Sequence, residues 1–157
     1  MIGNDIVDLA LAKKESNWKR EGYLNKIFTS KEQMLISASE NPDIMVWNLW
    51  SRKEAVYKIY NRKTGIRAFI PLKIECSKVD LEIGIVTCFN EIYYTKTEIT
   101  NQYINTVAVI ETSDFEKVLV LDNKTKITKL NGIPFLDSNK KIVSISHHGR
   151  FKQVVTL

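Results

Sequence analysis

The first forty residues of the chain change from a strand-like to a helical pattern of apolar and polar positions. Residues 2–8 alternate with a period of two, which predicts a β-strand that ends in two acids. A charged helical stretch is predicted over residues 11–24. Ser30, with Gln33 three residues later, has the spacing of a capping box, so a further helix is predicted to begin there.

A long amphipathic helix is predicted to begin at Pro42 or Asp43 and to end near Tyr60. On a helical wheel of about 100° per residue, its apolar and aromatic residues gather on one broad face, which we expect to pack on the core. The members of this face are Val46, Leu49, Trp50, Val56, Tyr57 and Tyr60. A loop over residues 61–69 follows, with Gly65 as its expected pivot.

Three charged residues of this helix lie on or beside its apolar face. Lys53 falls near the middle of the face, so its stem must extend to the surface or its ammonium must meet a buried anion. Glu54 and Lys58 fall together at the margin, beside Trp47. Their i,i+4 spacing is that of an ordinary surface ion pair, but their place at the margin also suits contact with a metal ion or a phosphate.

The second half of the chain is rich in β-branched and aromatic residues, which favour strands. Strands are predicted within residues 68–76, 84–89, 92–99 and 103–111, and two more close the chain. Turns are predicted at residues 89–91, 131–132 and 148–149. Residues 113–122 suit either a short helix or a strand. This layout predicts an α+β fold, with early helices packed on a mainly antiparallel sheet.

Composition indicates an ordinary globular chain. Its 157 residues are 44% hydrophobic and 26% charged, which suggests a single domain over residues 1–157. No apolar run approaches the roughly 20 residues of a membrane span, and the first residues lack a signal-peptide pattern, so we expect a cytoplasmic location. Cys76 and Cys88 have no metal-site spacing and are expected to be reduced, half-buried thiols. The net charge of +5 favours an anionic partner: nucleic acid, a phosphorylated small molecule or an acidic protein.

A few polar residues are candidates for chemistry, although each alone suits a structural role equally well. Asp5 and Asp8 point to opposite faces of an extended segment, and Asp5 is the better metal-ligand candidate because it lies closer to the apolar interior. The adjacent His147 and His148 also point to opposite faces, so a two-histidine metal site is not expected. Beside them, Ser146 offers a hydroxyl that suits hydrogen bonding to phosphate.

The order of these motifs resembles the 4'-phosphopantetheinyl transferase superfamily. IGNDIVDLA is similar to the family's first motif, G-x-D-[IV]-x-[ED], and FTSKEQ to its F-[ST]-x-x-E stretch. LWSRKEAVYK resembles the defining motif, [FW]-[ASTC]-x-K-E-[AS]-x-x-K, and VSISHHGRF resembles the S-[IL]-S-H segment. TGIR and GIPFL resemble the family's loop and its G-x-P turn. Because the acidic motif comes first and the Ser-His motif last, the order is similar to that of the small holo-acyl-carrier-protein synthase type.

The resemblance covers residues 1–76 and roughly 130–157. The segment 77–129 is longer than in the small type, and its predicted strands resemble the closing hairpin of the larger, two-fold repeated type. The small type is usually a trimer with active sites between subunits and the larger type a monomer, so a homotrimer and a monomer are both implied. Val7 stands where the larger type has a third acidic metal ligand, so water would complete the metal shell here.

The resemblance also implies a reaction. Asp5 and Glu54 would bind Mg²⁺, which also holds the pyrophosphate of coenzyme A while a serine of an apo carrier protein attacks the phosphorus attached to pantetheine. Glu54 or a metal-bound water would take the serine proton, and Lys58 would stabilise the departing 3',5'-ADP. Contacts to the coenzyme A phosphates are implied for Lys53, Arg67, Ser146 and His147.

Three of these assignments carry an alternative or a structural condition. Lys53 is either a phosphate contact or a salt-bridge partner. Asp8 is a helix cap or a support for the metal ligands. His147 shares a strand face with two apolar residues, so we expect a strand end or a bulge there.

Carrier proteins are acidic, so the positive net charge implies a docking face on the first basic helix. Its members would be Lys13, Lys14, Lys19 and Arg20. The carrier would serve fatty-acid, polyketide or peptide synthesis. The alternatives are a non-catalytic module that binds coenzyme A or a carrier, and a basic nucleic-acid-binding protein. Nucleic acid is disfavoured because the cations are dispersed and the aromatic residues lie on predicted core faces, and no membrane partner is expected.

Overall fold

The computed structural model describes residues 1–79, 83–122, 124–137 and 140–157. Four α-helices lie within these ranges: α1 (Leu9–Glu15), α2 (Tyr23–Ile27), α3 (Ser30–Ala38) and α4 (Pro42–Thr64). The same ranges hold ten strands: β1 (Ile2–Asp8), β2 (Ile74–Lys78), β3 (Gly84–Cys88), β4 (Glu91–Ile99), β5 (Tyr103–Val109), β6 (Leu119–Val120), β7 (Ile127–Leu130), β8 (Ile133–Leu136), β9 (Val143–His148) and β10 (Phe151–Thr156).

The strands form one large and two small antiparallel sheets. The large sheet has the order β1-β5-β4-β3-β2, with β1 paired to β5 from Ile2 opposite Val109 to Asp8 opposite Tyr103. Strands β6, β10 and β9 form the second sheet, and β7 with β8 forms a hairpin. Helices early in the chain and antiparallel sheets later confirm the predicted α+β fold.

Helix α4 packs across the large sheet and supplies much of the main core. Of the face predicted from the helical wheel, Val46, Leu49, Val56 and Tyr60 are buried. The other two members, Trp50 and Tyr57, are half-buried and both pack edge-on against Phe69, with ring centroids 5.5 and 5.1 Å away. The helix begins at Pro42, capped by Asn41, and continues four residues beyond the predicted end to Thr64.

Two helix boundaries differ from the prediction. The helix predicted over residues 11–24 is two short helices, because Ser16 ends α1 and Gly22, with φ of 76°, takes a left-handed conformation before α2. Helix α3 is capped by Thr29 and not Ser30, and its capping box uses Glu32. The prediction was therefore displaced by one residue along the chain.

Most predicted strands and turns are present. Phe89 and Asn90 form the β3–β4 turn with positive φ, and residues 131–132 form the β7–β8 turn. The strand predicted over 68–76 begins only at Ile74, because Pro71 opens a short 3₁₀ turn. Residues 113–122 contain elements of both predicted kinds: a 3₁₀ turn over Thr112–Lys117 and then β6.

The two cysteines are more deeply buried than expected. Cys76 and Cys88 are free thiols with 1% and 0% of their surface exposed, on the adjacent strands β2 and β3. Burial raises the pKa of both thiols, that of Cys88 to about 12. They are therefore inert core residues. Among the described residues, no helix is both long enough and apolar enough to cross a membrane.

Candidate functional site

Strand β1 and helix α4 approach each other closely at Gly3. A Cβ added to Gly3 would overlap the carbonyl oxygen of Ala55, so only glycine permits this spacing. As a result Asp5 of β1 lies within electrostatic reach of Glu54 on α4. The close packing of two backbones thus brings together the two acids predicted as metal ligands.

The carboxylate of Asp5 has one engaged and one free oxygen. Its Oδ1 accepts a hydrogen bond from Oγ of Ser146 at 3.0 Å and lies 3.8 Å from Nζ of Lys58. Its Oδ2 is buried and has no hydrogen-bond partner among the described residues. Burial raises the pKa of Asp5, and the Lys58 charge opposes this shift. A buried oxygen without a partner is one that a bound cation or water would satisfy.

Glu54 is a half-buried acid coupled to Asp5. Burial, and after it the negative charge of Asp5, raises the pKa of Glu54 to about 7, while Lys58 lowers it. Within the described ranges, no cluster of three or more His, Cys, Asp or Glu side chains is arranged around one point. Mg²⁺ is commonly held by one or two carboxylates together with waters and substrate phosphates. The pair of Asp5 and Glu54 therefore fits that ion.

Lys58 links the carboxylates to a neighbouring cavity. Its Nζ donates hydrogen bonds to the carbonyl oxygens of Asn4 at 2.6 Å and Ile145 at 3.3 Å. Burial lowers the pKa of Lys58, and the two acids oppose this shift. The ammonium is thus held between β1 and β9, beside Asp5 and at the wall of the cavity.

That cavity, which we call the basic cavity, has a volume of about 440 Å³. Its cationic and imidazole side chains are Lys58, Arg62, Arg67, Lys129 and His147, and no acid lines it among the described residues. Helix α4 and the residues after it form one wall, and the β7–β8 hairpin forms another. Nη2 of Arg67 joins the two walls by donating to the carbonyl oxygen of Asn131 at 3.1 Å. Such a surface is suited to phosphate groups.

Arg62 and Lys129 were missed by the sequence reasoning. Arg62 donates to the carbonyl oxygen of Ile2 at the start of β1, and burial lowers its pKa to about 10. Lys129 comes from the hairpin, far along the chain from α4. One helical turn separates Arg62 from Lys58, which was a usable signal for Arg62. No local pattern indicates Lys129.

Lys53 does not lie at this site. Its side chain is fully buried, its Nζ lies 2.6 Å from Glu32, and it donates to the carbonyl oxygens of Ile27 and Pro71 at 2.9 Å each. The predicted contact with a coenzyme A phosphate is therefore wrong, and the alternative, a salt bridge to a buried anion, is confirmed. The T-x-x-E spacing of Thr29 and Glu32 could have indicated this buried anion. It was not recognised because the capping box was predicted one residue later, at Ser30 and Gln33.

Strand β9 meets the outer edge of β1 through side chains, in an arrangement that we call the side-chain ladder. Alternate backbone N–H groups of β1 donate to alternate side chains of β9. The pairs are Asn4 with Ser144 Oγ (3.0 Å), Ile6 with Ser146 Oγ (2.9 Å) and Asp8 with His148 Nδ1 (2.9 Å). Ser146 is 5% exposed, and its hydroxyl is bonded to Ile6 of β1 and to Asp5, so the structure gives no support to its contact with phosphate, which stays a prediction.

His147 lies at the end of β9, exposed, on the opposite face from the ladder. It lines the basic cavity and also a cavity of about 310 Å³ that reaches Asp5, Tyr23, Trp47 and Trp50. We call the second one the Asp5 cavity. A strand end or a bulge was predicted at His147. The pairing of β9 with β10 is regular up to Phe151 opposite His148, so His147 lies at a strand end and not in a bulge.

Asp8 is a helix cap, one of the roles that the sequence suggested. Its Oδ1 accepts from the backbone N–H groups of Ala10 and Leu11, at the start of α1. Its carboxylate also accepts two hydrogen bonds from the guanidinium of Arg150, at 2.8 and 2.9 Å. These bonds hold the pKa of Asp8 well below its usual range. Sequence reasoning did not identify Arg150.

The predicted docking cations lie along α1 and the connection to α2. Lys13, Lys14, Lys19 and Arg20 are all exposed. Lys13 and Lys19 line a cavity of about 560 Å³ together with Trp18 and Trp47. Ser16 and Trp47 line both this cavity and the Asp5 cavity, so the two are adjacent.

Comparison with known proteins relates this chain to one family. A sequence model of the 4'-phosphopantetheinyl transferase superfamily matches residues 1–110. The chain is 35% identical over 80 residues to a holo-[acyl-carrier-protein] synthase of Fusobacterium nucleatum, a match over 51% of this chain and 62% of that protein. It is 37% identical over 68 residues to the corresponding synthase of Caldanaerobacter subterraneus, over 43% of this chain and 51% of that protein.

These matches cover only part of each relative, and the family match reaches further along this chain than the motifs do. The chain spans between half and two thirds of the length of the curated relatives it matches. The family match continues through residues 77–110, which the comparison of motifs left outside the resemblance, and ends before β9. It thus includes β1, α4 and the strands β3 to β5 of the large sheet.

Proposed function

Because the chain belongs to the 4'-phosphopantetheinyl transferase superfamily, we propose that it transfers 4'-phosphopantetheine from coenzyme A to a serine of an apo acyl or peptidyl carrier protein. The observation that carries the proposal is that two carboxylates, Asp5 and Glu54, lie within electrostatic reach of each other and of Lys58, which lines the basic cavity. The two relatives are named for an acyl carrier protein, which supports that acceptor.

Recognition of the donor is assigned to the basic cavity. Coenzyme A carries a 3'-phosphate and a diphosphate, and the cations of the cavity complement this charge. Arg67 and Arg62 supply guanidinium groups, which bind phosphate with two parallel hydrogen bonds. His147 borders both the basic cavity and the Asp5 cavity, which supports a contact with the diphosphate of a donor that would extend from one to the other.

Asp5 and Glu54 would hold Mg²⁺. The unpartnered Oδ2 of Asp5 supports this assignment, because Lys58 and Ser146 contact only the other oxygen of that carboxylate. The pKa of Glu54, which burial and the negative charge of Asp5 raise, also supports it, because a bound cation would stabilise the two charged carboxylates together. When bound, the ion would neutralise part of the diphosphate charge during transfer.

The proposed step is a single phosphoryl displacement. The serine oxygen forms a bond to the phosphorus that bears pantetheine, the bond from this phosphorus to the bridging oxygen breaks, and 3',5'-ADP leaves. The ammonium of Lys58 stabilises the charge that develops on the leaving phosphate. The hydroxyl proton passes to the carboxylate of Glu54 or to solvent water.

The acceptor would approach from the α1 side. Lys13, Lys14, Lys19 and Arg20 provide positive charge there, and the adjoining cavities supply a route from this surface to Asp5. We take an acyl carrier protein of fatty-acid biosynthesis, in the cytoplasm, as the first acceptor to test.

The direct experiment uses the whole chain with Mg²⁺, coenzyme A and an apo acyl carrier protein, and measures the intact mass of the carrier. We expect the carrier to gain one phosphopantetheine, and no gain when a chelator replaces Mg²⁺. Binding of coenzyme A without any mass gain on acyl and peptidyl carriers would support the non-catalytic binding module instead.

Glu54→Gln tests the role of the carboxylate pair. It removes a ligand charge and a proton acceptor while preserving size, so we expect transfer to fall by at least about 100-fold with an unchanged fold, measured by initial rates and circular dichroism. Glu75→Gln is the control, because Glu75 forms an ion pair with the exposed Lys31. Equal rates in the two variants would refute the assignment.

A further inference from the structure

The hydroxyl of Ser146 differs from that of Ser144, the neighbouring serine of the side-chain ladder. Both serines are buried, and each accepts a hydrogen bond from an N–H group of β1. Ser146 also donates to Oδ1 of Asp5 at 3.0 Å. The two residues therefore have the same backbone contact, and only one of them adds a contact with a carboxylate.

The geometry fixes the direction of this second hydrogen bond. A serine hydroxyl has one proton to donate and two lone pairs to accept with. Because the N–H of Ile6 donates to the Ser146 oxygen, the hydroxyl proton is left for Asp5. The Ser146 oxygen is thus held by β1, and its proton holds the Asp5 side chain in turn.

Other groups near Asp5 hold its carboxylate less directly. Nζ of Lys58 is 3.8 Å from Oδ1, beyond hydrogen-bond distance, and it donates to two backbone carbonyls. Oγ of Ser51 donates to the backbone carbonyl oxygen of Asp5 at 3.4 Å, and after Ser146 its hydroxyl also lowers the pKa of the Asp5 carboxyl. The short contact at Oδ1 is therefore that of Ser146.

We propose that Ser146 is a positioning residue that orients the carboxylate of Asp5 so that its Oδ2 stays free to bind the divalent cation. This inference rests on the proposed function, in which Asp5 is a metal ligand. Engagement of Oδ1 restricts rotation of the carboxylate, and the buried Oδ2 is left without a partner among the described residues. Partners of this kind commonly change metal affinity by about 10- to 100-fold when they are removed.

The test compares Ser146→Ala with Ser144→Ala. Each variant loses one hydrogen bond to β1, so we expect both to lose stability in urea denaturation, with the larger loss in Ser146→Ala because a second hydrogen bond is lost there. Only Ser146→Ala loses the contact with Asp5. With Mn²⁺ alone as the probe and the free ion measured by electron paramagnetic resonance, we expect its dissociation constant to rise by about 10-fold or more in Ser146→Ala and by less than about twofold in Ser144→Ala.

Ser146→Thr keeps the hydroxyl and is expected to restore Mn²⁺ affinity to within about threefold of the wild type. The Mg²⁺ concentration for half-maximal transfer should shift in the same order as the Mn²⁺ affinities. If Ser146→Ala does not fold, Ser146→Cys, a weaker donor of similar shape, should show an intermediate loss.

Two results would overturn the inference, and they have different consequences for the proposed function. If the wild type binds Mn²⁺ and the two alanine variants bind it equally well, Ser146 has no positioning role while the proposed function stands. If the wild type binds no Mn²⁺ and transfers nothing, the proposed function fails, and the role of Ser146 fails with it.

Discussion

Two lysines of α4 form ion pairs of similar length in opposite environments. Nζ of Lys53 lies 2.6 Å from Glu32, with neither side chain exposed, whereas Nζ of Lys63 lies 2.7 Å from Glu91, with the two side chains 45% and 41% exposed. Removal of one partner from a buried pair leaves an uncompensated charge, while an exposed pair contributes little. The same chemical change should therefore have very different effects at the two positions.

Lys53→Met should lower the free energy of unfolding by about 3–5 kcal/mol, and Lys63→Met by less than about 1 kcal/mol, both measured by urea denaturation. Because Lys53 is fully buried and does not line the basic cavity, the folded Lys53→Met protein should bind coenzyme A with wild-type affinity, as judged by calorimetry at low temperature. A large loss of affinity in the folded variant would instead support the phosphate contact predicted from the sequence.

The ion pair of Asp8 and Arg150 should make stability depend on pH. The pKa of Asp8 is lowered in the folded protein, so its contribution to stability is present above the unfolded pKa of about 3.9 and is lost as pH falls below it. Asp8→Asn cannot titrate. Between pH 5 and pH 3, we expect the free energy of unfolding to decrease less in Asp8→Asn than in the wild type. The decrease in Arg150→Gln should be intermediate between these two. Parallel curves would contradict this.

At the scale of elements, the approach of β1 to α4 positions the two acids. An alanine at position 3 would overlap the carbonyl oxygen of Ala55, so Gly3→Ala must separate the strand from the helix. We expect a loss of stability of about 1–3 kcal/mol and a loss of Mn²⁺ affinity, since Asp5 and Glu54 would move apart. Urea denaturation and a Mn²⁺ titration measure the two effects.

Gly65→Ala is the matched control for this change. Gly65 has φ of 73° and has open space where a Cβ would stand, so alanine there costs about 1 kcal/mol through backbone strain alone. Its Mn²⁺ affinity should be that of the wild type. If both variants lose affinity equally, general loosening of the fold, and not the spacing of β1 and α4, accounts for the result.

The sequence predicted the elements that carry the two acids. The repeat of one apolar face along α4 indicated that helix, whereas β1 was predicted as a strand although both of its faces are buried. The pattern of apolar residues placed Glu54 and Lys58 correctly at the margin of the core face. It did not predict the break before α2, where Gly22 interrupts a run of otherwise helix-compatible residues. It also missed Glu32, because neighbouring residues offered two overlapping capping patterns.

At the scale of the whole molecule, the site joins segments that are distant in the sequence. The three hydrogen bonds of the side-chain ladder each connect residues 140 positions apart. A motif of alternating hydroxyls and imidazole does not indicate which strand edge it will meet, so Ser146 was assigned to phosphate. The same applies to Lys129, which reaches the basic cavity only because the β7–β8 hairpin folds against the loop after α4.

The effect of the net charge of +5 on a binding partner depends on where the charged side chains lie on the surface. If the α1 surface docks an acidic carrier, Lys13→Gln with Lys14→Gln should raise the KM for the apo carrier several-fold at low salt and leave the affinity for coenzyme A unchanged. The effect should shrink as salt increases, because exposed charges are screened over about 10 Å at 0.1 M ionic strength. Steady-state rates at two salt concentrations and calorimetry with coenzyme A measure both quantities.

Lys124→Gln with Lys126→Gln is the control, because both lysines are exposed, they lie between β6 and β7, and their loss changes the net charge by the same amount. A KM that rises equally in both double variants would mean that the carrier responds to total charge and not to the α1 surface. A rise confined to the α1 variant, together with unchanged coenzyme A binding, would separate the acceptor surface from the donor cavity, since the two sets of cations belong to different parts of the fold.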